Sequence, residues 1–300
     1  MQELLNLKWV IGSAPLIDST ALKGKAVADL TWCFDRMDEE SSLFERVLAH
    51  PGMVRDYVDG DDKRLLLGKR FERYISFWLE HSEHWELIAR NVQIKQSTYT
   101  VGEFDFLARY LPSDEIVHFE VACKFYLASR HTKSAEAFVG PSGRDRLADK
   151  LTTLKRQLSL ADHPAARPEL KKLNIDRVHP LAIVKGFFFY HFTHLLDYKA
   201  PHGAHPKHRA GWWAYAHEMN EVFASEAAWA ILPKSDWLAE SHFHFTDDHV
   251  ISSRQMPHAC AEHIAAHGRA VMVVQLLLDD GVWNELSRGA IVTDRWPNIR

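Results

Sequence analysis

Apolar residues recur at helical spacing through residues 65–81, where Leu65, Gly68, Glu72, Ile75 and Leu79 fall on one stripe. Upstream, residues 21–36 and 41–48 carry shorter helical patterns, separated from the next element by the turn residues Asp59, Gly60, Asp61 and Asp62. Residues 86–94 read as a helix end running into a strand. Residues 101–109 and 116–127 alternate with period two and are rich in β-branched and aromatic side chains, with Pro112, Ser113 and Asp114 supplying a turn between them. Beyond Gly140 and Pro141, Ser142 and Asp145 have the spacing of a capping box, so a helix is expected to start there. Leu147, Leu151, Leu154 and Leu158 continue it until Pro164 and Pro168. Residues 178–190 form a further apolar strand. The order from residue 65 to 190 is therefore helix, strand, strand, strand, helix, strand, which predicts an α/β (α+β) fold with a mixed sheet and helices on its faces.

The remaining third predicts a loop over 199–211, a helix over 212–224, short strands at 229–232 and 241–245, a helix over 258–267, a strand over 270–278 and a short helix near 281–287. Three domains follow: a helical extension at 1–62, a core at 63–190 and an α+β elaboration at 191–300.

Composition narrows the class. Hydrophobic residues make up 46% of the 300, enough for a sizeable core and too many for a disordered chain. The three cysteines, Cys33, Cys123 and Cys260, are too few and too scattered for a disulfide framework or a four-thiolate zinc site, so a reducing compartment is expected. The longest apolar run, residues 270–278, contains Gln275 and falls well short of the roughly 18 residues of a spanning helix. The first residues lack the basic stretch and apolar core of a secretory signal. A cytoplasmic location with no membrane partner is the expectation.

The polar residues that interrupt apolar elements carry the chemistry. Glu72 stands on the apolar stripe of its helix, and Glu103 and Asp105 share one face of their strand. On the next strand His118, Glu120, Ala122 and Lys124 share a face opposite Val117, Phe119, Val121, Cys123 and Phe125. A hairpin would set Asp105 beside Glu120, where like charges repel unless a cation bridges them. Oxygen ligands of this kind suit Mg²⁺ or Mn²⁺, and a nearby lysine could orient water or offset charge on a phosphate. The bland alternative pairs these acids with Arg70, Arg90 or Arg109.

These residues resemble the PD-(D/E)XK phosphodiesterase superfamily, which has the restriction-endonuclease-like αβββαβ core. The likeness rests on residues 67–72, on Gly102, Glu103 and Asp105, and on residues 118–127. More closely, the chain resembles an uncharacterised bacterial family assigned to that superfamily, through Gly211, Trp212 and Trp213 and through Leu232, Pro233 and Lys234. The resemblance implies a nuclease in which Glu72, Asp105 and Glu120 bind Mg²⁺ or Mn²⁺, Asp105, Glu120 and Lys124 are catalytic, and Gln157 is the glutamine of exonuclease-like branches. It also implies DNA as substrate. Two positions depart from the superfamily pattern. Lys124 stands four residues after the acid, roughly 13 Å along an extended strand, where Ala122 occupies the usual lysine place, and Phe104 replaces a proline. A catalytically inactive nucleic-acid-binding or scaffold protein on the same fold is the alternative.

Local charge agrees with a phosphate ligand. Residues 124–177 hold twelve Lys/Arg against six Asp/Glu in a chain of net charge −4. Arg144, Arg146, Lys150 and Gln157 are the expected nucleic-acid contacts, with Arg146, Lys150 and Gln157 on one helix face. Among the nineteen histidines, His202, His205, His208, His242 and His244 match no zinc spacing and read as structural or surface residues.

Overall fold

The structure, a computed structural model, describes residues 1–60, 66–244 and 246–298. Asp61, Asp62, Leu65 and Phe245, which enter the turn, helix and strand expectations above, lie outside the described residues. Helices α1 (Gln2–Gly12), α2 (Leu30–Glu39), α3 (Ser41–Ala49), α4 (Gly52–Asp59) and α5 (Leu67–His81) precede strands β1 (Trp85–Gln96), β2 (Tyr99–Tyr110) and β3 (Glu115–Ala128). Then come β4 (Phe138–Val139), α6 (Leu147–Gln157), α7 (Ala166–Lys172), β5 (His179–His191) and β6 (Arg209–Tyr215). The chain continues with α8 (Met219–Val222), β7 (Ala228–Leu232), β8 (His242–His244), β9 (Ile251–Ser252), α9 (Met256–His267), β10 (Val271–Asp279) and β11 (Val282–Val292). Helices combine with mixed β-sheet, the α+β class that the patterning predicts. The predicted helix, three strands, helix and strand are present as α5, β1, β2, β3, α6 and β5, but short β4 precedes α6 and α7 follows it, neither of which the patterning predicts.

The chain divides into two compact units. One comprises Met1–Lys124, Lys150–Lys185 and Gly203–His208. In it β1, β2 and β3 form an antiparallel meander. Helix α5 packs on β1 through a stripe in which Phe71, Tyr74, Ile75, Trp78 and Leu79 are buried. Ile94, Phe104 and Leu107 close a second cluster with Leu160, Ala166, Leu170 and Ile175. Each such side chain contributes about 1.5–3 kcal/mol on leaving water. Two of the polar groups taken inside are well paired: Glu40 accepts from the Trp78 indole at 2.8 Å and from Ser82 at 2.5 Å. Lys185 donates to the carbonyls of Ile11 and Ser13.

The other unit comprises Phe125–Asp149, Gly186–His202 and Arg209–Arg300. Here β6 runs parallel to β5 and β11, while β10 lies antiparallel to β11 and β7. Trp212, Phe223, Trp229, Met256, Cys260 and Val273 form its core.

Five element expectations need correction. Residues 86–94 are wholly strand, because a register shift between Leu87 and Ala89 breaks the alternation that would have revealed it. Residues 21–36 are not one helix: Val27 bridges to Ala182, and α2 starts only at Leu30, where the Asp29 side chain caps Trp32 N–H at 2.8 Å. The capping-box reading at Ser142 fails because Gly140 N–H bonds Asp145 O at 2.7 Å in a turn with Gly143 at φ 74°, and α6 starts at Leu147. Trp212, Trp213 and Ala214 lie in a strand buried on both faces, whose continuous apolar run hides its period. Residues 281–287 belong to β11. Asp280 and Gly281, at φ 46° and 74°, join it to β10 as a two-residue hairpin turn.

Candidate functional site

The β2–β3 ladder runs Tyr110↔Glu115 through Phe106↔Phe119, so the next step along it would oppose Asp105 and Glu120. At that step the side chain of Asp105 takes over a main-chain partner: its Oδ2 accepts the Val121 N–H at 3.0 Å. Glu120 is only 3% exposed, and residues 117–123 are buried on both faces, including the face expected to be polar. Its cation comes from α6: Lys150 Nζ lies 3.6 Å from Glu120 Oε1. Glu120 Oε2 is buried with no hydrogen-bond partner among the described residues.

Two neighbouring acids, one buried and one half-buried, disfavour each other's ionisation. Burial first, then the neighbouring Asp105 charge, pushes the Glu120 carboxyl up to about 8, with Lys150 opposing. Burial likewise raises Asp105 to about 6 against the Val121 N–H and Lys150, and Glu72 and Glu103 add to the rise. The pair is thus short of positive charge, and the donor set is all oxygen.

Glu72 belongs to this field but is held by its own partner. Its carboxylate meets Lys69 Nζ at 2.5 Å and lines a cavity of about 300 Å³ with Lys69, Arg73, Ser76 and Arg90. The Lys69 ammonium also feels Asp105 and Glu103. Glu72, Asp105 and Glu120 therefore share one electrostatic neighbourhood, yet their oxygens do not all lie within 4.8 Å of one another. The one set of three ligand atoms that does, among the described residues, is His131, His194 and Asp197. The arginine alternative fails on contacts: Arg70 pairs with Asp59 and Glu3, Arg90 with Glu80, and Arg109 with Glu86 and Asp114.

Sequence reading pointed to Lys124 as the lysine of this site. Lys124 is half-buried on β3, but Lys150 is the cation that acts most strongly on both acids. A helix lysine seven residues before Gln157, on the same face, is what pattern reading had assigned to nucleic acid instead. Gln157 itself is turned onto the strand: Nε2 donates to the Glu103 carbonyl at 3.4 Å, and Oε1 is buried without a partner. Gly102 makes that approach possible, since a Cβ there would stand 2.5 Å from Gln157 Oε1 and 3.0 Å from the Leu160 methyls. Arg144 and Arg146 are exposed and precede α6, in the other unit from Lys150 and Gln157. They are not part of its helical face.

His118 is fully buried against Phe104, with ring centroids 4.6 Å apart and no partner for either nitrogen. Burial lowers it to about 4, so it is a neutral core residue. Of the histidines read as structural or surface residues, His208 Nδ1 lies 2.7 Å from the His205 carbonyl and His242 Nδ1 lies 2.8 Å from Asn284 Oδ1.

Residues 6–292 match a family described as a domain of unknown function, DUF1853. The chain belongs to this family. The DUF1853 match includes every residue of the carboxylate group and of the His131 cluster, and runs through both compact units. No curated protein and no solved structure matches the chain. No helix among the described residues is long and apolar enough to cross a membrane.

Proposed function

We propose that this DUF1853 protein is a metal-dependent nuclease of the PD-(D/E)XK kind, acting on nucleic acid, with DNA favoured. The observation that carries the reading is the pairing of half-buried Asp105 with buried Glu120, with Glu120 Oε2 unpartnered among the described residues and Lys150 3.6 Å from the other oxygen. Two carboxylates so close and largely out of water are costly unless a cation compensates them. Asp105 and Glu120 would hold Mg²⁺ or Mn²⁺, with Glu72 beside them. Such an ion, when bound, would supply charge stabilisation for a phosphate and would lower the pKa of a water.

The protein's own groups do the rest. The Val121 N–H fixes the Asp105 carboxylate, so its free oxygen has a defined direction. Lys150 balances Glu120, and its positive charge would offset the negative charge a phosphate gains in hydrolysis. Lysine from a helix replaces the strand lysine of the superfamily pattern, which accounts for Ala122 at the usual position.

The test is cleavage of single- and double-stranded DNA with Mg²⁺ or Mn²⁺. Wild-type protein should cut at least one substrate, and Asp105→Asn or Glu120→Gln should abolish cutting. Cleavage that survives both substitutions would remove the assignment. A second reading, a binding module without hydrolysis, is favoured by the Lys69–Glu72 ion pair, which already neutralises the third acid. It predicts no cleavage but DNA affinity that falls as salt rises.

A further inference from the structure

Residues 192–194 form a single turn of 3₁₀ helix and 195–197 extend it as a turn. His194 and Asp197, three apart, therefore project on the same side. Residues 129–133, bending away after β3, carry His131 to the same place. His194 Nδ1 lies 3.3 Å from Asp197 Oδ1, and His131 Nε2 lies 3.8 Å from Oδ2 and 3.0 Å from the Asp197 carbonyl oxygen. The two imidazoles stack with centroids 4.2 Å apart at 15°. A cavity of about 200 Å³ opens beside them, lined also by Arg130, His191, Tyr198 and Lys199. His191 Nε2 is 3.1 Å from Glu218 Oε2, a carboxylate that can orient it.

From this geometry we propose that His131, His194 and Asp197 bind a divalent transition ion of the zinc class. Two imidazoles and one carboxylate form the donor set of a three-ligand site that leaves a coordination position open, and here the open side faces the cavity. Borderline nitrogen donors favour Zn²⁺ or Co²⁺ over Mg²⁺, which sets this site apart from the all-oxygen pair at Asp105 and Glu120. Arg130 and Lys199 beside the cavity suit water or an anion as the remaining ligand. Binding one ion requires the stacked rings to fan apart, and the His131 and His194 side chains are 29% and 42% exposed, so both can turn. His131 then exchanges its contact with the Asp197 carbonyl for the metal.

The experiment is titration of the metal-stripped full chain with Co²⁺, followed by visible absorption, and with Zn²⁺, followed by calorimetry. A saturable site is expected, with Zn²⁺ displacing Co²⁺ and excess Mg²⁺ displacing neither. His194→Ala and Asp197→Asn should each weaken binding by at least about 10-fold, the lower end of what even supporting residues of metal sites cost. The double variant His131→Ala/His194→Ala should lose the site. Repeating the titration in Asp105→Asn/Glu120→Gln, which removes the other acidic cation ligands, should still show saturable Co²⁺ binding that depends on His194. Where an alanine variant melts early, His194→Gln keeps the volume and removes the ligand. Absence of saturable Co²⁺ and Zn²⁺ binding, or a site that persists in the folded double variant, would overturn the proposal.

Discussion

The carboxylate pair on β2 and β3 and the histidine cluster after β5 are two groupings of side chains that could hold an ion. At the first, half-buried Asp105 and buried Glu120 sit on neighbouring strands and are held by a main-chain N–H and a helix lysine. At the second, the side chains come from turns and are partly exposed. Burial makes the first pair electrostatically expensive without a cation, whereas solvent screens the second cluster and leaves its rings free to move. In the proposed readings, metal binding at the carboxylate pair would be coupled to stability and ionisation, and binding at the exposed cluster far less.

The largest expected effect breaks the first half of that contrast. Replacing Lys150 with Ala leaves Glu120 without its cation and, in the nuclease reading, should lower cleavage by about 100-fold or more, the scale on which losing one preorganised charge acts. Lys124→Ala should lower it far less; an equal loss in both variants would return the catalytic lysine to β3. A DNA-cleavage time course under saturating Mg²⁺ decides between them.

Ionisation gives the next test. Each acid holds its proton more tightly in the folded chain than in the unfolded chain, so metal-free stability is greatest below the ordinary carboxylate range. It should decline as pH rises through about 6 for Asp105 and about 8 for Glu120. The decline is bounded by about 1.4 kcal/mol per pH unit for each titrating group. Denaturant unfolding from pH 5 to 9 in chelator should show it, and Glu120→Gln should flatten the upper part of the curve. A wild-type curve as flat as that of Glu120→Gln would mean the pair is not electrostatically strained.

A smaller effect tests the packing that brings α6 to the strand. Gly102→Ala forces a Cβ against Gln157 Oε1 and Leu160, and should destabilise the protein by about 1–3 kcal/mol. Combining it with Gln157→Ala should recover part of that loss. Full additivity of the two substitutions would show that Gln157 does not press on Gly102.

Much of this architecture was legible in the chain. Strands β2 and β3 and helix α5 declared themselves through period, and the acids stood out because they interrupt apolar elements. Residues 212–215 misled because a strand buried on both faces and a buried helix share the same apolar run, and β1 because its bulge breaks alternation. The Asp280–Gly281 hairpin turn was written in the sequence, but the apolar spacing around it read as helix. Lys150 could not be found by spacing from Glu120, since the contact bridges thirty residues and depends on how α6 lies on the sheet. The histidine cluster had one local signal, a His and an Asp three apart at residues 194 and 197, while the third ligand is 63 residues upstream of the first.

Mn²⁺ binding followed by electron paramagnetic resonance tests the central assignment most directly. Wild-type protein and His194→Ala should both bind Mn²⁺ at a saturable site, and Asp105→Asn and Glu120→Gln should each lose it. Mn²⁺ binding that is absent from the wild type, or unchanged in both carboxylate variants, would show that Asp105 and Glu120 hold no metal.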